Sequence, residues 1–145
     1  LTTKEKQDEL SKHRIQQAEE SLDEAKYLLT GRKSLRSVIN RAYYAMFYAV
    51  LALLVYEPYA SSKHSGVLGY FNKRFIKEGI FSENMGRSIN KAFDLRQRGD
   101  YREYAALGYE QVVPFIEEAS VFIGSVRDYL LQKVWSAFDA PDSAI

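Results

Sequence analysis

The chain has 145 residues, enough for one domain that builds its own core and too few for a comfortable second one. It has no cysteine, which excludes a disulfide scaffold, a thiol nucleophile, an iron–sulfur cluster and any cysteine zinc site. Hydrophobic residues make up 46% and charged residues 27%, the formal net charge is +1, and three prolines and eight glycines argue against disorder and against a turn-rich β fold.

Apolar spacing is helical throughout. Over residues 3–30, Leu10, Ile15, Ala18, Leu22, Ala25, Leu28 and Leu29 recur at steps of three and four, and Gly31 supplies a C′ stop. Ser34 can cap a second helix that runs to Tyr56 and is apolar almost all round after Arg41, so it is expected to be the central element. Its longest nearly apolar run, residues 42–56, is shorter than the roughly 20 residues a bilayer requires. Pro58 ends it. A loop over 57–63 leads to a third helix over 64–77, with Val67, Leu68, Phe71, Phe75 and Ile76 inward and Gly79 as its stop.

A fourth helix over 82–97 buries Met85, Ile89, Ala92, Phe93 and Leu95, and Gly99 closes it. Residues 100–104 read as a turn. A fifth helix over 106–135 turns Val112, Val113, Phe115, Ile116, Ala119, Phe122, Ile123, Val126, Leu130 and Leu131 inward; Pro114 either kinks it or marks its true first turn. No strand pattern occurs. The expected architecture is all-α, an up-down bundle of four to five antiparallel helices over residues 1–138, followed by a frayed tail over 139–145. There is no basic-then-apolar leader, and the composition suits a cytoplasmic protein.

Charge is segregated along the chain. Residues 1–31 carry a net −2, residues 32–106 a net +7 and residues 107–145 a net −4. The middle can therefore attract an anion, or its cations can simply coat solvated helix faces. No Glu-x-x-His pair, phosphate-binding glycine loop or nucleophile elbow is present, so no metal site and no cofactor are expected.

Three clusters remain. In Arg41-Ala-Tyr43-Tyr44-Ala-Met-Phe47-Tyr48, Tyr44, Phe47 and Tyr48 share a face and read first as an aromatic core stripe, while Arg41 needs a carboxylate, a carbonyl end or a phosphate. In Ser62-Lys63-His64-Ser65-Gly66, a helix start carries extra donors; it is either a capped surface terminus or an anion site. In Arg96-Gln-Arg98-Gly-Asp100-Tyr101-Arg-Glu-Tyr104, Arg96 and Arg98 offer two fork-shaped phosphate ligands, with the Asp100 carboxylate and two phenols close by, at a helix end where arginines are also favourable on dipole grounds alone. An antiparallel hairpin of the third and fourth helices would bring the second and third clusters together. It would then line one basic, aromatic pocket with Lys63, His64, Arg96, Asp100 and Tyr101.

At these clusters the sequence resembles the HEPN family of small helical domains, in particular a small prokaryotic subgroup. The resemblance spans residues 18–122 and rests on Arg41-Ala-Tyr-Tyr-Ala-Met-Phe-Tyr-Ala49, on Lys63-His-Ser-Gly66 and on Arg96-x-x-x-Asp-Tyr101. It implies a dimerising bundle that pairs with a minimal nucleotidyltransferase in toxin–antitoxin modules. It further implies metal-independent ribonuclease chemistry where an arginine is followed, after four to six residues, by a histidine. Here Tyr101 occupies that place and no histidine follows, so the signature is not intact. In some family pairs the transferase modifies a tyrosine near the motif, a place that Tyr101 or Tyr104 could take.

The leading expectation is a homodimeric subunit that binds nucleotide or RNA phosphate through Arg41, Lys63, His64, Ser65, Arg96, Arg98, Asp100 and Tyr101. The alternatives are a ribonuclease with His64 as base and Arg96 as phosphate ligand, and a non-catalytic homodimeric interaction module.

Overall fold

The computed structural model describes residues 1–98 and 107–136, with Arg98 by its backbone alone. Five helices are present among them: α1 (Thr3–Thr30), α2 (Leu35–Leu54), α3 (His64–Phe71), α4 (Glu83–Arg98) and α5 (Tyr109–Lys133). No strand occurs among the described residues. The expected all-α bundle is thus the observed architecture. The expected turn at 100–104 and tail at 139–145 lie outside the described residues.

Side-chain bonds set the helix directions. Ser11 bonds the Ala52 carbonyl and Arg41 meets Glu24, so α1 and α2 are antiparallel. Arg127 meets Glu19 and Trp135 reaches Ser11, so α5 is also antiparallel to α1. The segment between α2 and α3 carries the chain back along α2. As a result, His64 lies beside Tyr43, while Tyr70 and Arg74 hold Glu57 beyond the far end of α2. α4 then returns, placing Arg96 against the start of α2.

α2 is the core helix, packed against the other four. Tyr43, Met46, Val50 and Leu53 are among its fully buried side chains. At 20 residues α2 is long and apolar enough to cross a membrane, but two-thirds of its apolar window is buried inside the bundle, which accounts for its composition.

Local details depart from the expected boundaries for physical reasons. α1 closes with Lys33 N–H bonded to the Leu28 carbonyl and Arg32 N–H to that of Leu29. The left-handed position is Arg32, at φ 52°, and not Gly31, whose φ is −78°. The Arg32 guanidinium lies 4.2 Å from the centre of the Tyr109 ring, a contact that offsets part of the cost of that conformation. The third helix is α-helical only to Phe71 and then widens into a π turn over Asn72–Ile76. There the Asn72 amide bonds both the Leu68 carbonyl and Asn90 of α4. Pro114 sits in the second turn of α5 rather than its first, and Leu10 and Leu131, expected in apolar stripes, are exposed.

One end of the bundle is tied by a buried polar knot. Asp8, 2% exposed, accepts from Lys4, from the Tyr56 hydroxyl at 2.6 Å and from both the backbone N–H and the hydroxyl of Ser136. Burial alone would raise its pKa, but the Lys4, Tyr56 and Ser136 hydrogen bonds outweigh burial and hold it well below the ordinary carboxylate range. The knot joins the start of α1 to the ends of α2 and α5.

Two stability outcomes follow. Asp8→Asn should cost about 2–4 kcal/mol in chemical denaturation at neutral pH, since it leaves buried donors unmatched. Because the folded pKa is lowered, the Asp8 contribution is complete above the unfolded value near 4 and drains away as pH falls below it. The gap between wild type and Asp8→Asn should therefore narrow from pH 6 to pH 3. Ser21, whose buried hydroxyl lacks a hydrogen-bond partner among the described residues, should tolerate alanine with unchanged or raised stability.

Candidate functional site

The site is built on one stripe of α2. Asn40, Tyr43, Tyr44 and Phe47 stand three and four residues apart and so face the same way. Tyr43 and Phe47 are buried, while Asn40 and Tyr44 are half-buried at the edge of the core. Two other helices deliver one functional side chain each onto this floor: α3 begins at His64, and the last turn of α4 carries Arg96.

His64 is held from two directions. Its ring stacks on Phe47 at 4.0 Å between centroids and 11° between planes. Its Nδ1 lies 2.8 Å from the Tyr43 hydroxyl. Arg96 spreads over the same ground: Nε donates to Asn40 Oδ1 at 3.3 Å, one terminal nitrogen donates to the Tyr44 hydroxyl at 2.8 Å, and the other stands 3.5 Å from His64 Nδ1. The guanidinium also lies 4.9 Å from the Tyr44 ring centre and 5.3 Å from that of Tyr43. Among the described residues, these hydrogen-bonding partners of Arg96 are uncharged. These neutral partners orient the guanidinium without cancelling its charge.

The protonation pattern follows from these neighbours. Burial, only partly countered by Arg96, pushes the Tyr43 pKa far above the ordinary phenol value, so its hydroxyl keeps its proton. For His64, burial and then the Arg96 charge both lower the pKa. The ring is neutral at pH 7. Tyr43 and Arg96 both present hydrogens to Nδ1, so we assign the acceptor lone pair to Nδ1 and the ring proton to Nε2. The pair can thus offer an oxyanion both guanidinium N–H groups and a neutral imidazole N–H.

The other expected residues are placed as follows. Arg41 pairs with Glu24 at 3.2 Å and lies 5.3 Å from the Tyr44 ring centre, so the carboxylate it was expected to need is present and it meets the site only across Tyr44. Lys63 and Ser65 are exposed and flank His64; Lys63 occupies the N-cap position without a side-chain cap. A Cβ at Gly66 would meet the Tyr59 hydroxyl, so a larger residue there requires the tip of the Tyr59 side chain to move. The Arg98 side chain, Asp100, Tyr101 and Tyr104 lie outside the described residues. Sequence reasoning missed Asn40 and assigned Tyr43 and Tyr44 to the core. The signal for Asn40 was an amide one turn before Tyr44, on the same helix face as the aromatic side chains.

A profile of the HEPN domain matches residues 11–129. The chain belongs to the HEPN family. It is 42% identical over 110 residues to a UPF0332 protein of Thermotoga maritima, covering 76% of this chain and 83% of that one. Two Methanocaldococcus jannaschii proteins, each carrying the name "putative toxin", are 34% and 36% identical. Those matches cover 82% and 80% of this HEPN chain and 80% and 85% of theirs.

The contact between His64 and Arg96 makes a measurable statement. Since its folded pKa is lowered, His64 binds fewer protons in the folded than in the unfolded state below about pH 7. Its contribution to stability is therefore present above about pH 6.5 and is lost as pH falls through that value. An NMR titration should place the His64 ring below the ordinary histidine midpoint, and Arg96→Ala should move it upward by removing the neighbouring charge. A downward move would contradict the contact.

Proposed function

We propose that this HEPN protein is a toxin-like subunit that binds RNA through a backbone phosphate held between Arg96 and His64. On this reading it works as a homodimer and pairs with a minimal nucleotidyltransferase. The observation that carries the binding reading is the apposition of a guanidinium and a neutral imidazole 3.5 Å apart, where the guanidinium's partners among the described residues are uncharged. The toxin names of the two archaeal relatives support the functional class. The net +7 of residues 32–106 supports an anionic partner.

Binding comes first in this reading because of the proton inventory. An Arg fork suits two oxygens of one phosphate, and an uncharged imidazole adds a donor without a desolvated charge. Arg96→Ala should weaken binding of a single-stranded RNA about tenfold at moderate salt and flatten the log–log salt dependence by about 0.7. Unchanged affinity and slope would remove Arg96 from the interface.

The neutral state of His64 favours one second reading, that of a metal-independent ribonuclease. A neutral imidazole can accept the proton of a ribose 2′-hydroxyl, with Arg96 holding the charge that develops on phosphate. In the assigned tautomer, the accepting atom is Nδ1, so the fixed Tyr43 hydroxyl must relay the proton, passing its own to Nδ1 as it takes up that of the ribose. Labelled RNA incubated with the protein in excess chelator should then be cut. Cutting should disappear in His64→Ala with the melting temperature kept within a few degrees. Intact RNA at high protein concentration would leave binding alone.

A further inference from the structure

Tyr44 carries a polar hydrogen that no described residue accepts. Its ring is fixed by edge-on contacts with Tyr43, Phe47 and His64, at 5.4, 6.3 and 5.8 Å between centroids. Its hydroxyl oxygen accepts from a terminal nitrogen of Arg96 at 2.8 Å. A phenol that accepts in this way still has its own O–H to give. Among the described residues nothing receives that hydrogen, although Tyr44 is half-buried. Tyr43, Tyr56 and Tyr70, by contrast, spend theirs within the protein, on His64, Asp8 and Glu57.

The position of the hydroxyl gives this hydrogen a destination. It bonds the same guanidinium that stands 3.5 Å from His64 Nδ1, so an atom seated against that end of the guanidinium comes within reach of Tyr44 as well. The neighbours of Arg96 also share one trait. Asn40 spends its Oδ1 on Arg96 Nε, Tyr44 its phenol oxygen on a terminal nitrogen, and His64 its Nδ1 lone pair on Tyr43 and Arg96. Their main acceptors are therefore committed, and what they have left to offer a ligand is donor hydrogen. Such a rim suits a ligand that presents oxygens carrying no hydrogen of their own, as the two non-bridging oxygens of a phosphodiester do.

We propose that Tyr44 is a ligand-binding residue of this site, its hydroxyl donating to a non-bridging oxygen of the RNA phosphate that Arg96 holds. This inference rests on the RNA-binding reading above and deepens it. Tyr44 adds a neutral donor beside the cation, and recognition is then of an acceptor-only oxyanion and not of positive charge meeting negative charge alone. A Tyr44 that only propped Arg96 would act through the guanidinium, and the two roles separate in measurement.

The test uses Tyr44→Phe, which removes the hydroxyl and keeps the ring, with Arg96→Ala beside it. In Tyr44→Phe, Arg96 retains its bond to Asn40 and its contact with the ring face. Binding of a labelled single-stranded RNA decamer is titrated by fluorescence anisotropy at several salt concentrations. The His64 midpoint of each free protein is measured by NMR, and circular dichroism melting checks each fold. Tyr44→Phe should bind about tenfold more weakly, the loss of one hydrogen bond to a charged group. Its salt slope should match wild type, because no charge is removed, and so should its His64 midpoint, because Arg96 has not moved. Arg96→Ala should flatten the slope and raise the midpoint.

If Tyr44→Phe binds as wild type does while Arg96→Ala is weakened, the Tyr44 proposal is overturned and the Arg96 reading stands. If Tyr44→Phe is weakened but also flattens the slope or shifts the His64 midpoint, Tyr44 acts through Arg96 and the proposal is overturned in the same way. If Arg96→Ala binds as wild type does, the RNA-binding reading itself is overturned, whatever Tyr44→Phe shows.

Discussion

The hydrogen bond from Tyr43 to His64 depends on a phenol buried completely within the helix that every other helix packs against. Tyr43 cannot move without opening the core, because its ring lies against Phe47, Phe93 and Tyr44. The hydroxyl therefore defines a fixed point at the core's edge. His64 takes its place from that point and from the Phe47 ring beneath it, and Arg96 takes its own from Asn40 and Tyr44 on the same stripe. Removal of one buried aromatic would cost several kcal/mol in packing and would release both side chains at once. The site is thus an extension of the core, built from its polar rim.

That arrangement explains why the charge of Arg96 remains useful. Several other arginines are answered by carboxylates: Arg74 by Glu57 and Glu78, Arg127 by Glu19 and Arg41 by Glu24. Among the described residues, Arg96 is instead given an amide, a phenol and an imidazole. Those groups fix its direction and leave its charge to act at a distance. Burial, aided by the same charge, keeps His64 neutral, so the two residues do not repel one another. At the opposite end of the bundle the logic is reversed: Asp8 is buried and wholly answered, and its task is to clasp three helix ends.

The fold was largely legible because its periodicity is plain. The helices begin and end within a few residues of the predicted limits, since Ser34, Gly79 and the apolar steps are local signals. The meeting of His64 and Arg96 was legible too, as a consequence of a hairpin between short neighbours. What could not be read was relational. Nothing in the sequence says that Asn40 would face Arg96, or that Tyr43 would spend its hydroxyl on His64, because those facts depend on how far residues 55–63 carry the chain back along α2. The π turn at Asn72 was hidden for a similar reason: it coincides with a tertiary bond to Asn90 that the local sequence does not announce. The left-handed Arg32, beside a glycine free to take that role, follows from a contact with a residue of α5.

The most direct measurement of the account is the NMR titration of His64 in the presence and absence of a saturating ribonucleoside 3′-phosphate. Burial and the Arg96 charge together depress the imidazole, and an oxyanion seated against Arg96 cancels the second of these. The account predicts that the His64 midpoint rises on addition of the nucleotide, and that the rise is lost in Arg96→Ala. A midpoint unmoved by nucleotide, with shifts clustered on other surfaces, would contradict it.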